Sequence, residues 1–246
     1  MNQPSSSSNI KAIIFSAGLG TRFKPWTNHH PKALAVVNGK SLLQRNIEYL
    51  QSAGIFDVVV NVHHFADQII DAIEKNNGWG SRVEISDESD AVLETGGGLL
   101  KARKYLQDSR FVTINVDILT DTSLGKIILS HEERKALVTL AVTKRNTSRY
   151  LLFNEQERLC GWRNRSTGEE RISMGADVLI EKAFSGLAVF EPAIFDLIDF
   201  TGKFSIIEVY LSLAAVHPIY GFDHTGSKLL DVGKPESVAL AESIFT

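Results

Sequence analysis

From Lys11 to Val142 the chain alternates short apolar runs with segments of helical periodicity, and this alternation restricts the fold more than any other feature. Lys11–Phe15, Val58–Val62, Arg82–Ile85, Phe111–Val116 and Ala136–Val142 read as strands. Val- and Ile-rich runs that do not alternate with polar residues suit strands covered on both faces. Between them, Ser41-Leu42-Leu43-Gln44 opens a helix with a capping box, ending near Ala53-Gly54. Ile69, Ile70 and Ile73 give Ala66–Glu74 an apolar stripe, and Gly97–Leu106 and Ser123–Glu133 also read as helices. Strand–helix alternation of this kind predicts an α/β fold, a Rossmann-like, doubly wound, mostly parallel sheet.

The rhythm breaks at about 149–190, where Tyr150–Phe153, Leu159–Arg163 and Ala183–Phe190 read as short strands joined by polar turns. This predicts a small antiparallel insertion packed beside the main sheet. A second capping box at Ser205-Ile206-Ile207-Glu208 starts a helix to about Val216. Tyr220–Phe222 and Leu229–Asp231 are late strands, and Glu236–Phe245 is the final helix. The serine-rich residues 1–9 are expected to be a disordered lead-in, and 10–246 one domain without repeats or linkers.

The first strand empties into Ser16-Ala17-Gly18-Leu19-Gly20-Thr21-Arg22-Phe23-Lys24-Pro25. This is not a dinucleotide fingerprint: the third glycine position is Phe23, and the second strand ends at Asn61-Val62-His63-His64 without a carboxylate. It is not a P-loop either, because Gly20 is followed by Thr21-Arg22. Glycine amides with Arg22, Lys24 and, in Pro31-Lys32-Ala33-Leu34, Lys32 nonetheless compose a polyphosphate site. A ligand-free turn flanked by solvated cations is the alternative. The net charge is −3, from 26 basic and 29 acidic residues, so any phosphate must be held locally. Neither nucleic acid nor a membrane surface is expected as a partner.

Asp117 ends one buried strand and Asp231 another, at the carboxyl ends where open α/β sheets bind ligands. Together they could hold one Mg2+, a hard ion that prefers oxygen ligands; singly, each could cap a turn. Gly96-Gly97-Gly98, read as lying just before a helix, suggest close approach of a ligand, with the backbone facing a planar base. His29-His30 and His63-His64 lack zinc spacing. Cys160, the one cysteine, fits a reducing cytosol and has no activating base beside it in sequence. No signal-peptide pattern and no run of about 18 apolar residues is present, so a cytoplasmic protein is expected.

As a set, Ala17-Gly18-Leu19-Gly20-Thr21-Arg22-Phe23, Pro25, Pro31-Lys32-Ala33-Leu34, Asn61-Val62-His63-His64, Asn115-Val116-Asp117, Phe184-Ser185-Gly186-Leu187 and Asp231-Val232-Gly233 resemble the signature of sugar-1-phosphate nucleotidyltransferases. Glu94-Thr95-Gly96-Gly97-Gly98 and the short length are most similar to the N-acetylmuramate-1-phosphate uridylyltransferase and mannose-1-phosphate guanylyltransferase-like branch. The resemblance implies the nucleotide-diphospho-sugar transferase fold. It also implies attack of a sugar-1-phosphate on the α-phosphorus of a nucleoside triphosphate, UTP or GTP, with Mg2+ and release of pyrophosphate. Arg22 would hold the β- and γ-phosphates and Lys32 the phosphates being joined. Asp117 and Asp231 would bind Mg2+. Ala17, Gly18, Gly20 and Thr21 would line the nucleotide, with Glu94, Gly96 and Gly97 at the base. Asn115 and Gly186 would meet the sugar phosphate. The acceptor pocket would involve the 149–190 insertion, where Trp162, Arg163 and Arg165 either enter it or lie on an exposed hairpin. A monomer or small homo-oligomer would suffice. Val116 departs from the family's Asn-Gly-Asp and raises the question of a crowded site. It leaves a non-catalytic nucleotide-sugar sensor or partner subunit as an alternative, and the unread acceptor pocket leaves transfer to a non-sugar phosphate such as phosphocholine as another.

Overall fold

Side-chain alternation along the first strand sets up two cores. The computed structural model describes residues 10–245; residues 1–9, read as a disordered lead-in, lie outside the described residues. In β1 (Lys11–Phe15), Ala12 and Ile14 enter one hydrophobic cluster and Ile13 the other. The short pairs β2 (Val36–Val37) and β3 (Lys40–Ser41) precede α1 (Leu42–Ser52), β4 (Asp57–Val62), α2 (Ala66–Lys75) and β5 (Arg82–Asp87). Then come α3 (Glu94–Lys101), α4 (Arg103–Leu106), β6 (Phe111–Asn115), β7 (Ile118–Thr120), α5 (Leu124–Glu133) and β8 (Val138–Thr143).

β1 pairs in parallel with both β4 and β6, and β4 with β5. α1, α2 and α5 cover the face that carries Ala12, Val60 and Ile114. α3 and α4 cover the face that carries Ile13, Val59 and Phe111. The chain therefore winds outward from β1 to β5, then returns to β6 on the other side of β1. Ligands in open α/β sheets bind at such a reversal, outside the carboxyl ends of the two strands.

Next follow β9 (Arg149–Phe153), β10 (Leu159–Asn164), β11 (Glu169–Ile172) and β12 (Ile180–Phe190). The expected insertion is antiparallel, but it does not form a separate layer. β12, 11 residues long, pairs with β9 through Ile180–Lys182 and with β6 through Leu187–Phe190, so the insertion continues the main sheet. Then come α6 (Ile194–Leu197), α7 (Ile206–Leu213), β13 (Ile219–Asp223), β14 (Leu229–Asp231) and α8 (Glu236–Ile244). β13 adds in parallel to β8, and β14 pairs antiparallel with β7 in a small ribbon.

Ser41 caps α1 by accepting the Gln44 N–H at 3.1 Å, but the Gln44 side chain turns to Glu48, so only half of the expected box forms. A larger difference concerns the three glycines. Helix α3 begins at Glu94, so Gly96, Gly97 and Gly98 lie inside it and are buried. A Cβ on Gly96 would sit 2.4 Å from the Phe204 ring, and one on Gly97 would sit 2.3 Å from the Gly202 carbonyl oxygen. These glycines let α3 pack against the 202–204 segment.

Candidate active site

The reversal point holds a cleft of about 320 Å³. Its wall includes Ala17, Gly18, Gly20, Thr21 and Arg22 from the loop after β1, then Lys32, Glu94, Asn115 and Asp117. Nine predicted site residues thus share one cleft.

The loop gets its shape from local bonds. Gly20 is left-handed (φ +60°), and its carbonyl accepts from the Phe23 N–H at 2.8 Å and from the Thr27 hydroxyl at 2.9 Å. A Cβ there would lie 2.8 Å from Thr27 Cγ2, so conformation and packing both select glycine. A Cβ on Gly18, by contrast, would meet nothing within 4 Å. Gly18 therefore leaves open space at the cleft wall.

Tertiary structure joins the two aspartates. Register in the β7–β14 ribbon sets Asp231 opposite Ile118, and the Val232 N–H donates to the Asp117 carbonyl at 2.8 Å. Lys32 Nζ reaches Asp117 Oδ2 at 2.6 Å. Asp231 Oδ1 is buried and has no hydrogen-bond partner. Burial first, and then the Asp117 charge, push the Asp231 carboxyl above its ordinary value; the Lys32 and Arg22 charges pull the other way. The space beside Gly233 separates Asp231 from Arg22: a Cβ there would be 2.8 Å from Asp231 Oδ1 and 3.3 Å from the Arg22 guanidinium. Two carboxylates and two cations therefore converge at one end of the cleft. An oxygen-lined acidic pair with an unpartnered buried oxygen fits a hard divalent cation whose other ligands are phosphate and water.

Of the other four predicted residues, Asp231 adjoins the lining residue Gly233 without being part of the wall, and three stand elsewhere. Gly96 and Gly97 are not in the cleft wall, and both N–H groups donate to the Phe204 carbonyl, at 2.9 and 3.3 Å. Those amides are already used within the protein. Gly186 (φ +72°) is also outside the wall; a Cβ there would sit 2.9 Å from Asn115 Nδ2, so it makes room for the Asn115 side chain.

In the insertion, Arg163 pairs with Glu170 and Glu181, Arg165 pairs with Glu181, and Arg171 lies over the Trp162 ring. None of Trp162, Arg163 and Arg165 lines the cleft. His63 bonds the Glu88 carbonyl and His30 the Gln68 side chain. No group of three or more His, Cys, Asp or Glu side chains suited to a metal occurs among the described residues.

Val116, the departure in Asn115-Val116-Asp117, lies in the turn between β6 and β7 and is tied down on both sides. Its N–H donates to the Phe15 carbonyl at 3.1 Å, its carbonyl accepts from Asn46 at 2.9 Å, and its side chain is 6% exposed. Its φ is not positive, so the backbone there does not require glycine.

Sequence reasoning missed a buried polar chain behind the glycine loop. Asn61, at the end of β4, accepts through Oδ1 from the Ser16 and Ala17 N–H groups at 2.6 and 3.3 Å, and donates through Nδ2 to Glu88 Oε1 at 2.8 Å. Both Asn61 and Glu88 line the cleft. Glu88 is fully buried, and burial raises its carboxyl above the ordinary value. The second strand ends without an acid, as the sequence indicates, but the next strand supplies one from its own end.

Residues 11–153 match the Nucleotidyl transferase family. The chain is 41% identical over 109 residues to the N-acetylmuramate alpha-1-phosphate uridylyltransferase of Caulobacter vibrioides, covering 43% of this chain and 45% of that one. It is 28% identical over 230 residues to the Neisseria meningitidis protein of the same name, covering 91% and 93%. It is 26% identical over 231 residues to the mannose-1-phosphate guanyltransferase of Yarrowia lipolytica, covering 92% of this chain and 61% of that one. The matched region is thus under two thirds of the length of the Caulobacter and Yarrowia relatives. The crystal structure of HddC from Yersinia pseudotuberculosis superposes with a TM-score of 0.78 at 24% identity, covering 96% of this chain and all of that one, which shows the shared fold.

Proposed function

This chain belongs to the Nucleotidyl transferase family, and on that premise we propose that it joins a nucleoside triphosphate to a sugar-1-phosphate, forming an NDP-sugar and pyrophosphate. One observation carries the reading: the β7–β14 ribbon sets Asp117 and Asp231 side by side where Lys32 and Arg22 converge, at the mouth of the β1 glycine loop. The relatives' names favour UTP or GTP as the donor.

An acceptor phosphate oxygen forms a bond to the α-phosphorus, and the bond from that phosphorus to the bridging oxygen breaks, releasing pyrophosphate. Such transfer asks the protein for alignment and charge stabilisation rather than covalent chemistry. The loop amides from Ala17 to Thr21 cradle the triphosphate, and Arg22 neutralises its outer phosphates. Lys32 leaves Asp117 for the phosphates being joined. Asn115, set by the space beside Gly186, faces the acceptor phosphate. Asp117 and Asp231 would hold Mg2+, which supplies positive charge to the triphosphate oxygens. Among the described residues no helix is long and apolar enough to cross a membrane, and Cys160 is a buried free thiol. That thiol supports a cytoplasmic setting.

The test is pyrophosphate release with Mg2+ across UTP, GTP, CTP, dTTP and ATP, each against several sugar-1-phosphates and phosphocholine. Release that requires both substrates is the expected result and identifies base and acceptor together. Release with phosphocholine alone would move the acceptor outside the sugars. Silence across the matrix would overturn the reaction.

A further inference from the structure

Glu88 touches the cleft wall with no exposed surface, and none of the phosphate chemistry uses it. We propose that Glu88 is a positioning residue: it fixes the direction of the Asn61 carboxamide and so holds the Ser16–Ala17 turn in the shape that receives the triphosphate. The inference deepens the proposed function and rests on it.

The two ends of an asparagine amide have the same shape and opposite polarity. The Ser16 and Ala17 N–H groups need the oxygen end, and take it at 2.6 and 3.3 Å. The nitrogen end then points into the interior, where an unpartnered N–H is costly. Glu88 Oε1 accepts it at 2.8 Å. A carboxylate only accepts, so it admits one amide direction; the flipped amide would set N–H groups against the loop N–H groups.

Glu88 is itself held from several sides. Its N–H donates to the Val62 carbonyl at 2.7 Å, its carbonyl is bonded by His63 at 2.7 Å, and its Oε2 accepts the Leu93 N–H at 3.4 Å. Gly98 makes the contact possible. A Cβ at that position would stand 2.6 Å from Glu88 Oε1 and 3.0 Å from Asn61 Nδ2. Glycine inside a helix is less stable than alanine, so this one has a packing reason. The chain from Gly98 through Glu88 and Asn61 to Ser16 ties the loop to helix α3.

Four proteins test the inference: wild type, Glu88→Leu, Asn61→Asp, and the double variant Asn61→Asp with Glu88→Gln. Each is titrated calorimetrically with UTP and with GTP in the presence of Mg2+, assayed for the KM of the acceptor, and followed by hydrogen exchange at the amides of residues 16–21. Glu88→Leu is expected to weaken triphosphate binding about tenfold or more and to speed loop exchange, with the acceptor KM within about twofold of wild type. Asn61→Asp sets two carboxylates against each other and produces the same defect. The double variant reverses the polarity of the bond: a carboxamide at position 88 donates and a carboxylate at position 61 accepts. It is expected to recover most of the affinity and protection. A double variant no better than Asn61→Asp would overturn the inference. So would a Glu88→Leu protein that loses thermal stability while both substrates weaken equally. If Glu88→Leu does not fold, the comparison of the single and double Asn61 variants decides. A wild type that binds triphosphate but releases no pyrophosphate would overturn the reaction, while affinity and loop exchange still judge Glu88.

Discussion

Val116→Gly would convert Asn115-Val116-Asp117 to the Asn-Gly-Asp pattern and is expected to damage the protein without improving it. The valine side chain is 6% exposed and lies in the cluster formed by Ile114, Ile118 and Val232. Removing three buried carbons at about 0.8 kcal/mol each, and adding roughly 0.5–1 kcal/mol for the greater backbone freedom that glycine loses on folding, gives about 3 kcal/mol of destabilisation. For a chain of this size that is a fall of roughly 6–12 °C in Tm. Because φ at Val116 is not positive and both its backbone groups are bonded, glycine relieves no strain. Turnover at about 20 °C should stay within about threefold of wild type while the fold holds. Thermal unfolding with pyrophosphate release, measured side by side, checks both. A variant as stable as wild type would refute the packing argument, and a tenfold or greater rise in kcat would show that the valine crowds the site.

Asp117→Asn keeps the shape and loses the charge that pairs with Lys32 at 2.6 Å; it should cut Mg2+-dependent pyrophosphate release by at least about a hundredfold with circular dichroism unchanged. Activity near wild type would refute the metal assignment. Two glycines separate ligand contact from packing. Gly18→Ala should leave Tm within about 2 °C and weaken triphosphate binding, whereas Gly96→Ala, with its Cβ 2.4 Å from the Phe204 ring, should lower Tm by about 5 °C or more. His131 is buried between Thr139 and Glu191, and burial lowers its pKa to about 4, so the unfolded chain binds the extra proton first as pH falls. Its contribution is fully present above about pH 6.5 and is lost toward pH 4. Thermal melts across that window should therefore fall more steeply in wild type than in His131→Gln.

Local patterns in the sequence were enough for whatever depends on neighbours along the chain. The apolar runs mark β1, β4, β6 and β8 because strands covered on both faces need no polar alternation. Ser41 and Ser205 announce α1 and α7 because a cap acts within three residues, through the N–H groups of Gln44 and Ile207. The loop from Ala17 to Arg22 was a weak signal by itself and gained weight from Lys24 and Lys32 nearby in the sequence. Everything that depends on distant pairing needed the fold. Asp117 and Asp231 become one site only through the antiparallel register of β7 and β14. The insertion became part of the main sheet because β12 is long enough to pair with β9 at one end and β6 at the other. The three glycines of α3 looked like a ligand loop because composition cannot reveal a neighbour; Phe204, Gly202 and Glu88 occupy the space that side chains would need. No sequence motif singles out Glu88, and only the packing of α3 against the ends of β4 and β5 buries it beside Asn61. Periodicity and capping act over a few residues and can be read locally, whereas a buried carboxylate's role is set by side chains that the chain brings together only when it closes.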